Sequence, residues 1–449
     1  MSFEKNDTIA AVATAHGVGA ISIVRMSGPD ALAIAKKVTK KENFHPRKAT
    51  LAHIYDEDDT LIDQALVIYF QAPKSFTGED VVEFQCHGGI IVAQMVLERL
   101  TSLGARLAEP GEFSKRAFLS GKIDLSEAEA IAKIIEAKSV DAAKILARQL
   151  KGELKEYIEE LREKLIRILA FVEVNIDYAE EDLPEDLQEQ MQSQLATIAQ
   201  ELARIVESSK RRSGLLEGFK VAIIGKPNTG KSSLLNALLN YERAIVSEIA
   251  GTTRDTIEEQ VRIGTHLVRF VDTAGIREAS DTIERIGVER SIKAIEESDI
   301  VIAMFDASSK ELDEEDRKIV ELVRRYQNQK EFIVVLNKVD LGKRARLPFE
   351  DVIELSVKQD ISPLLRRLEE LLDSMAGGDE ILLVSKRQID AVQRAKEEIE
   401  AAKMPLEMGE LEIFAFHINE AIRAVASITR PMESSELLDK MFGEFCLGK

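Results

Sequence analysis

The chain has 449 residues, of which 45% are hydrophobic and 31% charged, with a formal net charge of -19 at pH 7. That length suggests about three domains, and the acidic balance excludes a general nucleic-acid coat, because phosphate binding needs local positive charge. No apolar run approaches the roughly 18 residues of a membrane span. Two cysteines, Cys86 and Cys446, give neither a disulfide framework nor a zinc spacing, so a cytoplasmic location is expected.

The opening MSFEKNDTIAAVATAHGVGAISIVR places Glu4 and Asp7 before a short apolar stretch broken by His16 and Gly17. It reads as a strand and turn, not a signal peptide. Residues 1–120 mix β-like runs (AISIVRM, ALVIYF, VVEFQ) with Gly and Pro punctuation and amphipathic helices, which predicts an α+β domain. Over residues 121–216 Gly and Pro become scarce. Ile131, Ile134, Ile135 and Lys138 start a helical spacing that Leu161, Leu165, Ile168, Leu169 and Val172 continue, with a break at Pro184. This is the first part of an all-α domain. Two basic clusters, Lys36, Lys37, Lys40 and Lys41, and Lys210, Arg211 and Arg212, are available to RNA but read more simply as solvated faces.

Between residues 217 and 376 the period changes. VAIIG, LVRFVDTAG, DIVIAMFDAS, EFIVVLNKVD and VIELSVK are buried-strand runs separated by helical segments, which predicts a doubly wound α/β domain. Gly377 and Gly378 mark its exit, and residues 377–449 return to helical spacing with Ile389, Val392, Ala395 and Ile399 on one face, and Leu437, Leu438, Met441 and Phe442 on another. The economical reading is a multidomain chain in which the α/β domain is inserted into a split helical domain, with the two edges of the insert close in space.

Within the insert stand GKPNTGKS (Gly225 to Ser232), GTTRD (Gly251 to Asp255), DTAG (Asp272 to Gly275) and NKVD (Asn337 to Asp340). Four such blocks in this order describe a P-loop site for a guanine nucleotide, GTP or GDP. The Gly225 to Gly230 backbone turns N–H groups toward phosphates, with Asn228, Thr229, Gly230 and Ser233 in the binding set, while Lys231 neutralises oxygens and the Ser232 hydroxyl ligates Mg²⁺. Asp340 accepts the paired N–H donors of guanine that adenine lacks, which can discriminate by roughly 10⁴ or more. Asn337 supports the loop, Lys338 lies along the base, and Ser356 and Lys358 touch it from the other side. Asp272, Thr273, Ala274 and Gly275 face the metal and the γ-phosphate. The next residue is Ile276, where many signalling GTPases carry a water-positioning Gln; an apolar side chain cannot orient water.

These blocks and their flanks resemble the MnmE (TrmE) family of tRNA-modification GTPases along essentially the whole chain. The more specific segments are GVGAISIVRMSG, FTGEDVVEFQCHGG, PGEFSKRAFLSGKIDL and the terminal Cys446-Leu447-Gly448-Lys449. The resemblance implies an N-terminal folate-binding and dimerisation domain, a split helical domain and an inserted G domain. It implies K⁺ at Asn228, Ser247, Ile249 and Thr252, Mg²⁺ at Thr253 as well as Ser232, and Glu284 orienting the attacking water; Ser247, Thr252 and Thr253 thereby join the nucleotide set. Arg254 and Asp255 belong to the same switch segment and read as loop coupling. Arg25, Glu83, Lys122 and Lys449 match the family's contacts to 5-formyl- or 5,10-methylenetetrahydrofolate, and Lys449 implies that the C-terminal helix returns to the N-terminal domain, across a dimer.

The implied activity is GTP hydrolysis coupled to modification of wobble uridine 34 in tRNA. The implied partners are a second copy of the chain, the flavoprotein MnmG (GidA) in a heterotetramer or larger assembly, and tRNA, without a membrane. The alternative is a non-modifying GTP switch of ribosome assembly, similar to Era or Der, but the chain has no second P-loop and no G-x-x-G loop after the G domain. Cys446 has only Lys449 as a nearby basic group and no His within ten residues; a thiol without a base stays protonated, so a structural or folate-proximal role is expected over catalysis. Cys86 reads as a small core residue, and His87 as a turn support with no evident partner.

Overall fold

The computed structural model describes residues 7–15, 17–177, 185–243, 259–271, 284–342, 345–378, 381–430, 435–443, 445, 446 and 448. The chain divides into two compact units: Met1–Ile135, Gln149–Glu185 and Glu397–Lys449 form one, Glu136–Arg148 and Asp186–Lys396 the other.

The first unit contains a six-stranded sheet of β1 (Ile9–Val12), β2 (Ile21–Ser27), β3 (Thr50–Tyr55), β4 (Leu61–Phe70), β5 (Val81–His87) and β6 (Arg106–Leu107), in the order β3-β4-β5-β2-β1-β6. All pairs are antiparallel except β1 with β6. Side chains alternate across a strand. Val24, Met26, Val82 and Phe84 therefore enter one core with helices Ala31–Thr39 and Ile90–Ser102, while Arg25 and Glu83 turn to the other face. Phe113, from helix Glu112–Leu119, and Phe76 pack beneath Ile9 and Ala11.

Helices Glu153–Asp177 and Leu411–Ala426 pack together in this unit. Leu161, Leu165, Ile168, Leu169 and Val172 are buried, the stripe that helical spacing predicts. The C-terminal helix Ser435–Gly443 places Leu438 and Phe442 against Phe118, Ile123, Leu125 and Ala128. The Gly111 amide donates to the Cys446 carbonyl at 3.3 Å, and a Cβ on Gly111 would collide with the Phe442 carbonyl. The C-terminal segment thus returns to the N-terminal sheet domain within one chain. Glycine at 111 is what permits so close a backbone approach.

The second unit contains β7 (Phe219–Ile224), β8 (Glu259–Ile263), β9 (His266–Phe270), β10 (Ile300–Asp306), β11 (Glu331–Asn337) and β12 (Val352–Glu354) in the order β12-β11-β10-β7-β9-β8. Only β8 runs antiparallel to its neighbour. The central strands are buried on both faces, which is why they read as unbroken apolar runs. Val221, Ile223, Ile302, Met304 and Val335 enter one core with helices Lys231–Arg243 and Ser362–Ala376. Val301, Ala303, Phe305, Val334 and Leu336 enter a second core with helix Glu314–Tyr326. The doubly wound α/β domain predicted from the strand runs is present, beside an α+β sheet domain and long helices.

Arg212 has a structural task, unlike the RNA contact considered for its cluster. It is buried, and its Nη2 donates to the carbonyls of Ala376 at 2.6 Å and Gly378 at 2.8 Å. The end of helix Ser362–Ala376 leaves carbonyls without helical partners, and a buried guanidinium needs acceptors. Each satisfies the other, and the chain leaving the sheet is fastened to the chain approaching it.

A charged cluster holds the N-terminal unit. Glu112 accepts Arg106 Nη2 at 2.7 Å, Arg116 Nη2 at 2.9 Å and the Glu109 amide at 2.9 Å. Burial pushes its carboxyl upward, but these bonds outweigh burial and hold its pKa below the usual carboxylate value; Asp7, bound to the same two arginines, is lowered in the same way. A depressed folded pKa contributes stability above the ordinary carboxylate range and loses it as pH falls through the depressed value. Removing the carboxylate by Glu112→Ala leaves both arginines with Asp7, and Arg116 also with Glu79, but takes away their buried partner, which should cost about 1–3 kcal/mol. The check is the reaction rate of the buried Cys86 thiol in a Cys446→Ser background at one fixed, neutral pH, expected to rise in Glu112→Ala. An unchanged rate would contradict the role given to Glu112.

Candidate functional site

Strand β7 ends at Ile224 and delivers the loop that turns into helix Lys231–Arg243. The loop takes positive φ at Gly225 (153°), Asn228 (63°) and Gly230 (105°). Lys231 Nζ donates to the carbonyls of Gly225 and Lys226, both at 2.8 Å. Burial pushes this ammonium's pKa down, against a smaller upward pull from Glu315. A buried cation met by neutral carbonyls gains most from an anionic oxygen, so the loop fits a polyphosphate. Ser232 is half-buried in the first helical turn and Ser233 is exposed.

Asn337, the last residue of β11, is buried, with a relative exposure of 3%. Its Nδ2 donates to the Thr229 carbonyl at 2.8 Å and its Oδ1 accepts the Val357 amide at 3.0 Å. One carboxamide therefore joins the phosphate loop to the loop containing Ser356 and Lys358. A Cβ on Gly230 would collide with that Nδ2, so the glycine is required by the approach as well as by its φ. Lys338 serves the same junction: its Nζ donates to the Asn228 carbonyl at 2.6 Å and pairs with Asp306 Oδ2 at 2.7 Å. The sequence reading lays Lys338 along the base; the structure shows it tying loop to strand. Asp340 is exposed in the short turn Val339–Leu341, Ser356 is buried and Lys358 exposed.

Two partners escaped the sequence reading. Asp306 closes β10 opposite Asn337; burial raises its pKa, but hydrogen bonds from Lys338 and Ser308 hold it below the usual value. Lys226 Nζ pairs with Asp313 and Asp316, each at 2.6 Å, at the start of helix Glu314–Tyr326. The available signal was an acid at the C-terminal end of a strand, and an Asp-x-x-Asp at a helix start. Ser247, Ile249, Thr252, Thr253, Arg254, Asp255, Asp272, Thr273, Ala274, Gly275, Ile276 and Lys449 lie outside the described residues. Glu284 begins helix Glu284–Glu297, and its side chain lies outside the described set.

In the N-terminal unit, Arg25 on β2 stands opposite Glu83 on β5, and its Nε donates to Glu83 Oε1 at 2.9 Å. The guanidinium lies 5.9 Å from the Phe76 ring centroid and 5.8 Å from that of Phe113. A charged pair beside two aromatic rings fits a planar heterocycle bearing N–H donors. Lys122 is exposed, and its Cε lies close to Gly78, two residues from Phe76. Cys446 is exposed. His87 does have a partner, contrary to the sequence reading: its Nδ1 lies 2.6 Å from Asp63 Oδ1, and Asp63 Oδ2 accepts its amide at 2.9 Å. Cys86 is buried and its thiol is pushed up to about 12, chiefly by burial and further by Asp63, consistent with a core residue.

A family model for the GTP-binding protein TrmE N-terminus matches residues 8–122, and one for the MnmE helical domain matches residues 125–446. The tRNA modification GTPase MnmE of a Nitratiruptor species is 73% identical over 449 residues, covering all of both chains. The chain belongs to the MnmE family. The protein of the same name from a Sulfurovum species is 60% identical over 452 residues, again covering all of both chains. That from Aliarcobacter butzleri is 60% identical over 446 residues, covering 99% of this chain and 100% of its own. A GTP site is what MnmE family membership implies, and the phosphate loop described above has the geometry for it.

Asn337→Ala tests the junction in this MnmE-family chain. It leaves the Thr229 carbonyl and Val357 amide without their partner, a loss of about 1–3 kcal/mol for each buried group. The affinity for a fluorescent guanine nucleotide, measured by titration, should fall at least about tenfold. Unchanged affinity would contradict the role given to the carboxamide.

Proposed function

We propose that the chain is a K⁺-activated GTP-hydrolysing enzyme of tRNA modification. With a flavoprotein partner resembling MnmG, it installs an aminomethyl or carboxymethylaminomethyl group at carbon 5 of wobble uridine 34. The observation that carries this reading is family membership along the whole chain, joined to a phosphate loop and a base loop held together by Asn337.

Residues 217–376 act as the G domain, inserted between the helical parts 121–216 and 377–449, with residues 1–120 as the folate-binding and dimerisation domain. Lys231 meets the β and γ oxygens, and Ser232 and Thr253 hold Mg²⁺, which screens phosphate charge when bound. Asn228, Ser247, Ile249 and Thr252 hold K⁺, which supplies positive charge where other GTPases insert an arginine. Asp340 selects guanine through its two acceptor oxygens. Ile276 cannot orient water, and that task falls to Glu284. Hydrolysis reorganises the active site shared by the homodimer and does not itself drive the carbon chemistry.

Arg25, Glu83, Lys122 and Lys449 hold the folate, which supplies the one-carbon unit. The Glu83 carboxylate accepts the paired N–H donors of the pterin, and Arg25 keeps that carboxylate aimed. Cys446 stays close to the folate in a structural role. The test is calorimetric binding of 5-formyltetrahydrofolate to the full chain. Binding is expected, and Glu83→Gln should weaken it at least about tenfold, because an amide offers a donor where the ligand needs an acceptor. No binding by the unsubstituted chain would remove the folate half of the reading and favour a GTP switch without modification chemistry.

A further inference from the structure

Residues 136–148 lie in the helical stretch of the sequence yet belong to the second unit, with the α/β sheet. Directional bonds hold them there. Lys138 Nζ donates to Gln260 Oε1 at 3.1 Å, and the Lys138 carbonyl accepts Arg262 Nη2 at 3.0 Å. Ser139 Oγ donates to the Leu215 carbonyl at 3.2 Å. Asp141 Oδ2 accepts Thr265 Oγ1 at 2.7 Å and lies 3.5 Å from His266 Nδ1. Gln260, Arg262, Thr265 and His266 all sit on the β8–β9 hairpin.

The far side of the hairpin is held as well. His266 is buried, its Nε2 lies 2.8 Å from Asp373 Oδ1, and its ring meets Phe219 edge-on at 5.8 Å. Gly264, at the turn, has φ of 58°, and a Cβ there would collide with the Glu369 carboxylate. The hairpin is therefore gripped between helix Ser362–Ala376 and residues 138–141. In the sequence it is bounded by GTTRD on one side and DTAG on the other, the two blocks assigned to metal and γ-phosphate.

We propose that the β8–β9 hairpin passes the nucleotide state of the G domain to residues 138–141, which lie outside it in the sequence. Apolar packing alone would keep residues 138–141 attached without orienting them; the bonds from Gln260, Arg262 and Thr265 fix their direction relative to the hairpin. The bonds are at the surface and individually weak, so the coupling rests on them jointly. The proposal takes the GTPase reading as given and adds a segment outside residues 217–376 that responds to nucleotide state.

The test is amide hydrogen exchange of the full chain with GDP and with a non-hydrolysable GTP analogue. In the unsubstituted chain the analogue should alter exchange both in residues 225–235 and in residues 137–150. In Arg262→Ala/Thr265→Val, whose substituted positions are exposed, the difference in residues 225–235 should persist while that in residues 137–150 shrinks at least about threefold. Asp141→Asn, which weakens the acceptor from the other side, should reduce it in the same sense. A full difference in residues 137–150 in both variants would overturn the proposal. So would the absence of any difference there in the unsubstituted chain, or loss of the signal in residues 225–235 along with it. No response in residues 225–235 of the unsubstituted chain would instead count against the GTPase reading itself.

Discussion

The nucleotide end of the second unit depends on the carboxamide of Asn337. Its two polar atoms face opposite ways, one toward Thr229 in the phosphate loop and the other toward Val357 in the loop of Ser356 and Lys358. Both partners are backbone groups, so the bond sets the distance between two loops instead of merely holding a side chain. Several sequence choices follow from it. Residue 230 must lack a Cβ, because Nδ2 occupies that space. Residue 338 must reach back past the junction to Asn228, which Lys338 does from a left-handed backbone conformation. Asp306 must then neutralise the lysine at the end of the next strand. A ligand that touches both loops together meets a frame whose span is already set, and preorganisation of this kind lowers the cost of binding.

The same rule, that a buried polar group must find its partner, organises the rest of the chain. Arg212 satisfies carbonyls at the end of helix Ser362–Ala376. Glu112 gathers Arg106 and Arg116, and Glu83 takes Arg25 beside two aromatic rings. These junctions divide by exposure. Arg212, Glu112 and Asn337 are buried and hold structure, whereas the bonds between the β8–β9 hairpin and residues 138–141 lie at the surface, where water can replace them. Water competition makes such bonds weak as struts for stability but well suited to passing a change of state.

Much of the fold was legible because the relevant signals are local. DIVIAMFDAS reads as a buried parallel strand and is one, with every residue from Ile300 to Phe305 buried. The stripe from Leu161 to Val172 reads as one helical face and packs as one. GKPNTGKS describes a loop by its backbone needs, which spacing encodes directly. What escaped were partners far apart in sequence. Nothing near His87 announces Asp63, nor does anything near Lys226 announce Asp313 and Asp316, because a strand or helix start brings them together only after folding. Arg212 looked like a solvated basic residue because its acceptors, Ala376 and Gly378, are carbonyls without a side-chain signature. Residues 136–148 carry helical composition, and composition does not say which unit a helix joins. Arg25 and Glu83 were named only through resemblance; their register on β2 and β5 was not visible in either strand alone.

The central claim is that this site hydrolyses GTP through a potassium-dependent assembly of two G domains, with Glu284 where a Gln is missing. GTP turnover in K⁺ against Na⁺, at matched ionic strength and over a range of protein concentrations, tests it most directly. The account expects turnover that rises with K⁺ and with protein concentration, and that is absent in Glu284→Ala in either salt. Equal, slow turnover in both salts, independent of concentration, would contradict it.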